Sequence, residues 1–366
     1  MRPPELIALA LEGLRRMRLP SGLFCEELVD GVAVPGSRSI RYTLMVYLGL
    51  LKAEAAGYDP GFDLKGVRSA LLKGLDAPHL RPGDLGLYLW ADARGRHGSA
   101  EDVLHRLEPA LAGAGGLATR EGQELAWIVT GLGAAAGRGC VRAEPLLREA
   151  LDLLVPNRAA GGLAYHFAAP GARRRFSNFA TQAYGIFALA TAAKLGLDPR
   201  AAVAASRTAE AVIALQLPDG GWPWLYDAER GRVVEPYELY SVHQHAMAPM
   251  ALLELAEVTG DERFERAAVG GLGWIHGDNE LGLDMVDREQ AIVYRSIRRR
   301  SPWARLLLYA NTGAAYALRR PVRGRGSAVE LNTTCRPYEL GWLLEAWCGR
   351  EELLGAARPA AAPRAG

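Results

Sequence analysis

The chain has 366 residues with 43 Lys and Arg against 41 Asp and Glu, and a formal charge of +2 supplies no field suited to a dedicated nucleic-acid binder. With 49% hydrophobic and 23% charged residues it can bury a large core and has the composition of a soluble globular protein. No stretch approaches the ~18–20 apolar residues of a membrane span, and Cys25, Cys140, Cys335 and Cys348 are too scattered for a disulfide scaffold or a zinc ribbon, which points to a reducing, cytoplasmic setting.

Residues 1–18 carry Glu5 and Glu12 inside an apolar pattern with arginines after it, the reverse of a secretory signal, so this segment is expected to be a helix of the mature protein. A 3.6-residue periodicity predicts further helices over 38–56, 63–76, 99–113, 119–137, 142–154, 177–195, 198–216, 238–259, 261–275, 302–319 and 333–348. Alternating runs of Val, Ile or Thr are almost absent, so the class is all-α. Glycine (42) and proline (21) are abundant for so helical a chain, which calls for many turns between the helices. No low-complexity linker divides the chain. Residues 1–350 are expected to form one domain, and the Ala- and Pro-rich tail over 351–366 is expected to be disordered.

Several hairpins are expected to open with a glycine-aromatic turn: Ser21-Gly22-Leu23-Phe24, Gly86-Leu87-Tyr88, Gly161-Gly162-Leu163-Ala164-Tyr165 and Gly220-Gly221-Trp222-Pro223-Trp224. Helices with a polar start and an apolar body follow such turns, as at Arg41-Tyr42-Thr43, Asn178 to Gln182 and His243-Gln244-His245. Counting back fifteen residues from Gly57, Gly196 and Gly260 reaches Tyr42, Thr181 and His245, which suggests one repeated structural position. Helix pairs of this kind cannot bury an apolar face alone and must stack. Six of them can form an open solenoid or close into an α/α toroid, whose inner helices would crowd their polar starts round one mouth.

Gln216-Leu217-Pro218-Asp219-Gly220-Gly221-Trp222 resembles the Q-x-x-x-G-x-W turn of terpenoid cyclase and protein prenyltransferase toroids, and the DGGW turns of the six-hairpin glycosidase-like enzymes. The stretch from Tyr240-Ser241 to Thr259-Gly260-Asp261 resembles the C-terminal domain of glucuronyl C5-epimerases. The likeness covers residues 205–275, and elsewhere only the repeat pattern. It implies an α/α toroid; these toroids host hydrolases, lyases, epimerases, cyclases and transferases. No Asp-x-Asp-Asp acid of a class II terpene cyclase is present, Asp284-Met285-Val286-Asp287 being the nearest pair, and no cysteine completes a prenyltransferase zinc set. The epimerase glutamine would fall one residue from Gln244.

The sharpest constellation is Glu235, Tyr237, Glu238, Tyr240, His243, Gln244 and His245, at the entrance of one inner helix. Tyr240, His243 and Gln244 share a helical face, and a histidine beside a tyrosine can act as base and acid. Chemistry at the C5 proton of a uronic acid needs this pair together with a neutraliser for the carboxylate, for which Asn178 and Gln182, with Arg174 or Arg175 nearby, are candidates. The blander alternative is that these polar groups satisfy helix ends and buried backbone. A polar loop over 273–288 offers Asn279, Glu280 and Asp284 for sugar hydroxyls or for acid catalysis. Arg295 and Arg298 suit an anion, or else simply face water. Trp222 and Trp224 suit a pyranose face, although the first tryptophan of such a turn is usually a packing staple. Ring closure would place Glu26, Glu27, Arg41 and Tyr42 beside Asn332, Thr333, Arg336 and Glu339.

No phosphate loop, HExxH, CxxC or Gly-x-Ser-x-Gly pattern occurs, so no cofactor and no metal is indicated. The expected activity is that of an epimerase, lyase or hydrolase on a sugar or oligosaccharide, with His243, His245, Tyr240, Glu238 and Glu280 as acid/base residues and Asn178, Gln182, Gln244, Trp222, Trp224, Arg41, Arg295, Arg298 and Arg336 holding substrate. An isoprenoid cyclase and a non-catalytic helical scaffold are the alternatives. Oligomeric state is not legible.

Overall fold

The computed structural model describes residues 3–34, 36–112, 116–300, 303 and 328–356. Its helices alternate between two rings. The outer ring comprises α1 (Pro3–Met17), α3 (Leu64–Lys73), α5 (Ala100–Leu111), α7 (Ala143–Leu154), α9 (Ala201–Ile213) and α11 (Glu262–Gly270). The inner ring comprises α2 (Ile40–Ala55), α4 (Pro82–Gly95), α6 (Gly122–Ala136), α8 (Phe179–Lys194), α10 (Ala248–Thr259) and, after the short α12 (Leu272–Ile275), α13 (Pro337–Trp347). Each inner helix packs on the next, and α13 packs on both α10 and α2, so the ring closes. The sequence explains the division. Outer helices such as α5 and α7 bury one stripe of leucines, whereas α2 is buried continuously from Thr43 to Leu51 and α8 from Phe179 to Ala190, apart from Ala180.

The helix starts are built from local chemistry. Ser39, Asp63, Asn178 and Asp261 cap α2, α3, α8 and α11 by accepting backbone N–H bonds from Tyr42, Gly66, Thr181 and Arg263. Helices α4 and α13 both open with Arg-Pro-x-acid, Arg81-Pro82-Gly83-Asp84 and Arg336-Pro337-Tyr338-Glu339. The proline takes the first helical position and the carboxylate reaches back to the arginine N–H, at 2.9 Å for Asp84.

Three of the expected turns are the same structure. Gly22, Gly162 and Gly220 have φ of 84°, 101° and 83°. In each turn the glycine N–H donates to the carbonyl three residues back (Leu19, Ala159, Leu217), whose own N–H bonds the residue after the glycine (Leu23, Leu163, Gly221). The fourth, Gly86-Leu87-Tyr88, is not a turn: it lies in the middle of α4, a helix that the periodicity did not predict. A Cβ on Gly131 of α6 would overlap the Gly86 carbonyl, and one on Gly49 of α2 would overlap that of Gly341 in α13. Glycines here let inner helices approach closely instead of breaking the chain. Gly131→Ala should therefore cost about 1–3 kcal/mol from overpacking, whereas Gly185→Ala on α8, with nothing within 4 Å of the added methyl, should stabilise by about 0.5–1 kcal/mol. Thermal melts of the two variants check the contrast.

Strands also occur, each of two to four residues, too short to show alternation in sequence. They form the sheets β3 (Phe176–Asn178)–β4 (Leu225–Asp227)–β5 (Arg232–Glu235) and β10 (Val329–Asn332)–β9 (Ser296–Arg299)–β6 (Leu239–Tyr240), and two small hairpins. The three-stranded sheets lead straight into inner helices: β3 runs into α8, and β6 into a π-helical turn, His243–Met247, that precedes α10. Residues 238–259 are thus strand, π turn and helix in place of the single helix expected. The predicted helix 302–319 lies outside the described residues, Trp303 excepted. Of the expected tail, residues 351–356 are helical, with Glu351 accepting from Tyr58 Oη at 3.0 Å, and 357–366 lie outside the described residues.

Candidate active site

The starts of all six inner helices meet in an unbroken circuit of contacts. Arg41 of α2 bonds Asp84 of α4 with two bonds, at 2.5 and 3.0 Å. Arg81, before α4, pairs with Glu124 of α6 at 2.8 Å. Gly122 N–H at the start of α6 donates to His166 O, and the His166 ring lies 3.3 Å from Thr181 Oγ1 of α8. Phe179 of α8 packs on His243 (centroids 4.5 Å), which meets Tyr240 (5.2 Å), over which Arg295 stands (4.9 Å). Arg295 donates to Glu339 of α13. Arg336, before α13, donates to Tyr42 Oη at 2.8 Å, back on α2. Asp84, Glu124 and Glu339 each occupy the third position of their helix, near the positive end of its dipole. Below this charged rim lies an aromatic floor of Trp90, Trp127, Tyr184 and Trp342, with Trp342 Nε1 donating to Tyr184 Oη at 2.7 Å.

Electrostatics divide the rim. Burial, and after it the charge of Arg295, pushes the His243 pKa down to about 3, so this imidazole is neutral at ordinary pH. Its buried Nδ1 has no hydrogen-bond partner among the described residues, and the ring hydrogen-bonds the Trp222 backbone. Burial, with Glu238 adding to it, pushes Tyr240 up to about 12, which keeps its hydroxyl protonated. Burial also raises the Glu124 and Glu339 carboxyls, against the pull of their arginines. Burial opposes the charge on Arg295, yet Glu339 outweighs it and the guanidinium is held more firmly charged than usual. Trp224, half-exposed, lies parallel to the His243 ring with centroids 6.1 Å apart and an angle of 4°.

Not all the residues singled out in sequence come together here. His243, Tyr240, Trp224, Arg295, Arg41 and Arg336 lie on the circuit. Gln182 is engaged by the Ala164 N–H and C=O (2.8 and 2.9 Å) and by Ser177, and Gln244 by Trp222 N–H (3.0 Å) and Tyr240 O (3.1 Å), so both brace the preceding turn. Thr43 does the same for Phe24 at 2.9 Å. The repeated position is therefore Thr43, Gln182 and Gln244, not Tyr42, Thr181 and His245. The π turn, one residue wider than an α turn, accounts for part of the displaced register. Asn178 caps α8, and Trp222 is fully buried, as a packing staple would be. Glu238 accepts from Ser296 Oγ at 2.9 Å, and Glu280 accepts from Tyr237 Oη at 2.5 Å beside the Arg299–Glu235 pair. Arg295 and Arg298 do not form one clamp: on an extended segment, residues three apart face opposite sides, and Arg298 pairs outward with Glu330 at 2.9 Å. Asp84, Arg81 and Glu124 escaped the sequence reading, although the repeated Arg-Pro-x-acid start could have revealed the first two.

His245 is fully buried, touches none of the aromatic rings round His243, and neither ring nitrogen has a hydrogen-bond partner among the described residues. Burial, chiefly, lowers its pKa to about 3 as well. Both histidines are then protonated far more readily unfolded than folded. Their stabilisation is present above about pH 6.5 and is lost as pH falls toward 3. At pH 5 the loss should be about 2 kcal/mol per histidine. Urea midpoints at pH 7.5 and 5 measure it, and His245→Leu should remove about half of the difference.

No protein-family model matches the chain, and no curated protein matches it. Solved structures do. A D-mannose isomerase aligns with a TM-score of 0.68 at 12% identity over 97% of both chains. The cellobiose 2-epimerase of Spirochaeta thermophila gives 0.66 at 12% over 96% of both, and an unsaturated glucuronyl hydrolase specific for heparin gives 0.62 at 14% over 97% of this chain and 96% of that one. The fold, shared with these structures, is an α/α toroid. Each of these alignments spans nearly the whole of both chains. Among its described residues no helix is long and apolar enough to cross a membrane.

Proposed function

We propose that this toroid is a carbohydrate-active enzyme that moves a proton on a sugar or uronic acid bound at the mouth. The observation that carries the reading is His243: a neutral imidazole set between Trp224 and Tyr240 and beside Arg295. In the reaction, His243 takes the proton from the carbon next to the sugar carbonyl or carboxylate, and the electron pair moves to oxygen, giving an enediolate. Arg295 and the protonated Tyr240 face that oxyanion. The imidazolium forms only as the anion forms beside it, which offsets the low intrinsic basicity. Returning the proton to the former carbonyl carbon, while the hydroxyl proton passes to the other oxygen, isomerises the sugar; delivery of a proton to the opposite face of the same carbon by a second acid, a role open to the Tyr240 hydroxyl with water replacing its proton, epimerises it. Trp224 offers a flat face to the ring.

Similarity to sugar isomerases, epimerases and hydrolases supports a carbohydrate substrate. Glycosidic cleavage needs a carboxyl placed to donate a proton; Asp84, Glu124 and Glu339 are engaged by arginines, and Glu26 lies at the starts of α2 and α4, away from His243. A polyene bound at the mouth would strip water from this charged rim and return no hydrogen bonds to it, which disfavours the isoprenoid reading. Incubation with reducing sugars, uronates and unsaturated uronyl oligosaccharides, followed by chromatographic separation, tests the proposal. Isomers or epimers are expected; glycosidic cleavage with no isomer would replace this reading with a hydrolase.

A further inference from the structure

Between the starts of α2 and α4 lies a cleft of about 250 Å³, lined by Glu26, Arg38, Arg41, Tyr42, Leu80 and Asp84. It does not include His243, which belongs to the opposite side of the ring: α2 stands three helices from α8, and α4 three from α10. Neighbouring helix axes lie about 8–10 Å apart, so opposite ones in a ring of six are about 16–20 Å apart. One pyranose against His243 does not reach across that span. The cleft lies on the same rim: Tyr42, which lines it, accepts from Arg336 and packs at a tilt of 34° on Tyr338 (centroids 4.7 Å), one residue from Glu339.

Its chemistry suits hydroxyl groups better than a single charged group. Asp84 is spent on Arg41, but the exposed Glu26 carboxylate and the exposed Arg38 guanidinium have no side-chain partner among the described residues, which leaves an acceptor and a set of donors facing one space. Tyr42 Oη accepts from Arg336 and keeps its own proton to donate. Ile40 and Leu80 supply apolar surface for ring C–H groups. The volume is below the roughly 300–1,000 Å³ of sites for drug-sized ligands, so it has room for one sugar unit.

We propose that this cleft is an accessory sugar subsite, which holds a distal ring of an oligosaccharide whose reacting ring lies against His243. The proposal rests on the reading of the mouth as a carbohydrate site and assigns it a preference for chain length. Leu80→Trp fills the cleft, and Arg38→Ala, at an exposed residue without partners, removes donors without threatening the fold. Binding of mannose, mannobiose and mannotriose, followed by ligand-observed NMR, should show mannotriose at least 10-fold tighter than mannose on the native protein, with the difference abolished by Leu80→Trp and reduced by Arg38→Ala. Equal affinities on the native protein, a difference that survives both variants, or no binding of mannotriose would overturn the subsite. Isomer formation from the same sugars scores the activity separately: length-dependent binding without turnover keeps the subsite and removes the proposed reaction, and turnover without length dependence does the reverse.

Discussion

His243→Gln should lower kcat/KM on the sugar substrate by about 10²–10⁴, the usual contribution of a general base, while leaving the melting temperature at pH 7.5 close to native. The packing argument keeps the two readouts separate. His243 makes ring contacts with Phe179, Trp224 and Tyr240 and a hydrogen bond with the Trp222 backbone, which a glutamine amide of similar size can keep. Tyr240→Phe keeps the ring under Arg295 and removes only the hydroxyl, so its loss should be smaller than that of His243→Gln. The pH profile carries a second signature. With the His243 pKa near 3 in the free protein, kcat/KM should show no acid limb near 6.5. Any decline toward pH 5 should follow unfolding, driven by the two buried histidines. A limb at 6.5 in fully folded protein would mean that the base is a different or far more exposed group.

Arg295→Met should cost about 3–5 kcal/mol of stability, because it leaves Glu339 buried without its cation. Both side chains are almost wholly inside, Glu339 at 0% exposure and Arg295 at 8%. Water cannot take over as partner, as it would at exposed pairs such as Arg266–Glu262. The double variant Arg295→Met/Glu339→Leu removes both charges and should recover much of that loss, since replacing a buried pair with apolar groups is often close to neutral. Activity should not return with stability, because Arg295 also stands over Tyr240. Urea unfolding of the single and double variants gives the coupling energy. A single variant as stable as the native protein would show that the two charges do not depend on each other.

The architecture was legible wherever local chemistry and tertiary role agree. Gly22, Gly162 and Gly220 mark true turns because only a residue without Cβ adopts their backbone at no cost, and the outer helices announce themselves through one apolar stripe, of leucines in α5 and α7 and mainly of alanines in α9. Among the inner helices only α4 was missed: with Pro82, Gly83, Gly86 and Gly95 it looks like a broken loop, although Gly86 is there for the contact with Gly131. The site was legible on one side only. Tyr240, His243 and Trp224 lie close in sequence and could be grouped, whereas Asp84, Glu124 and Glu339 meet arginines about forty residues away that only the packing of successive elements brings near. His245 and Gln182 resembled site residues because polarity inside a helix start does not distinguish a group facing the mouth from one bracing a turn.

Solvent exchange is the most direct probe of proton transfer at His243. Incubated in D2O with a sugar it isomerises or epimerises, the native protein should place deuterium on the carbon next to the carbonyl or carboxylate, visible as a lost C–H signal by NMR, and His243→Gln should reduce the rate of incorporation by the same factor as turnover. Product formed without deuterium at that carbon, or incorporation that persists at the native rate in His243→Gln, would contradict the assignment.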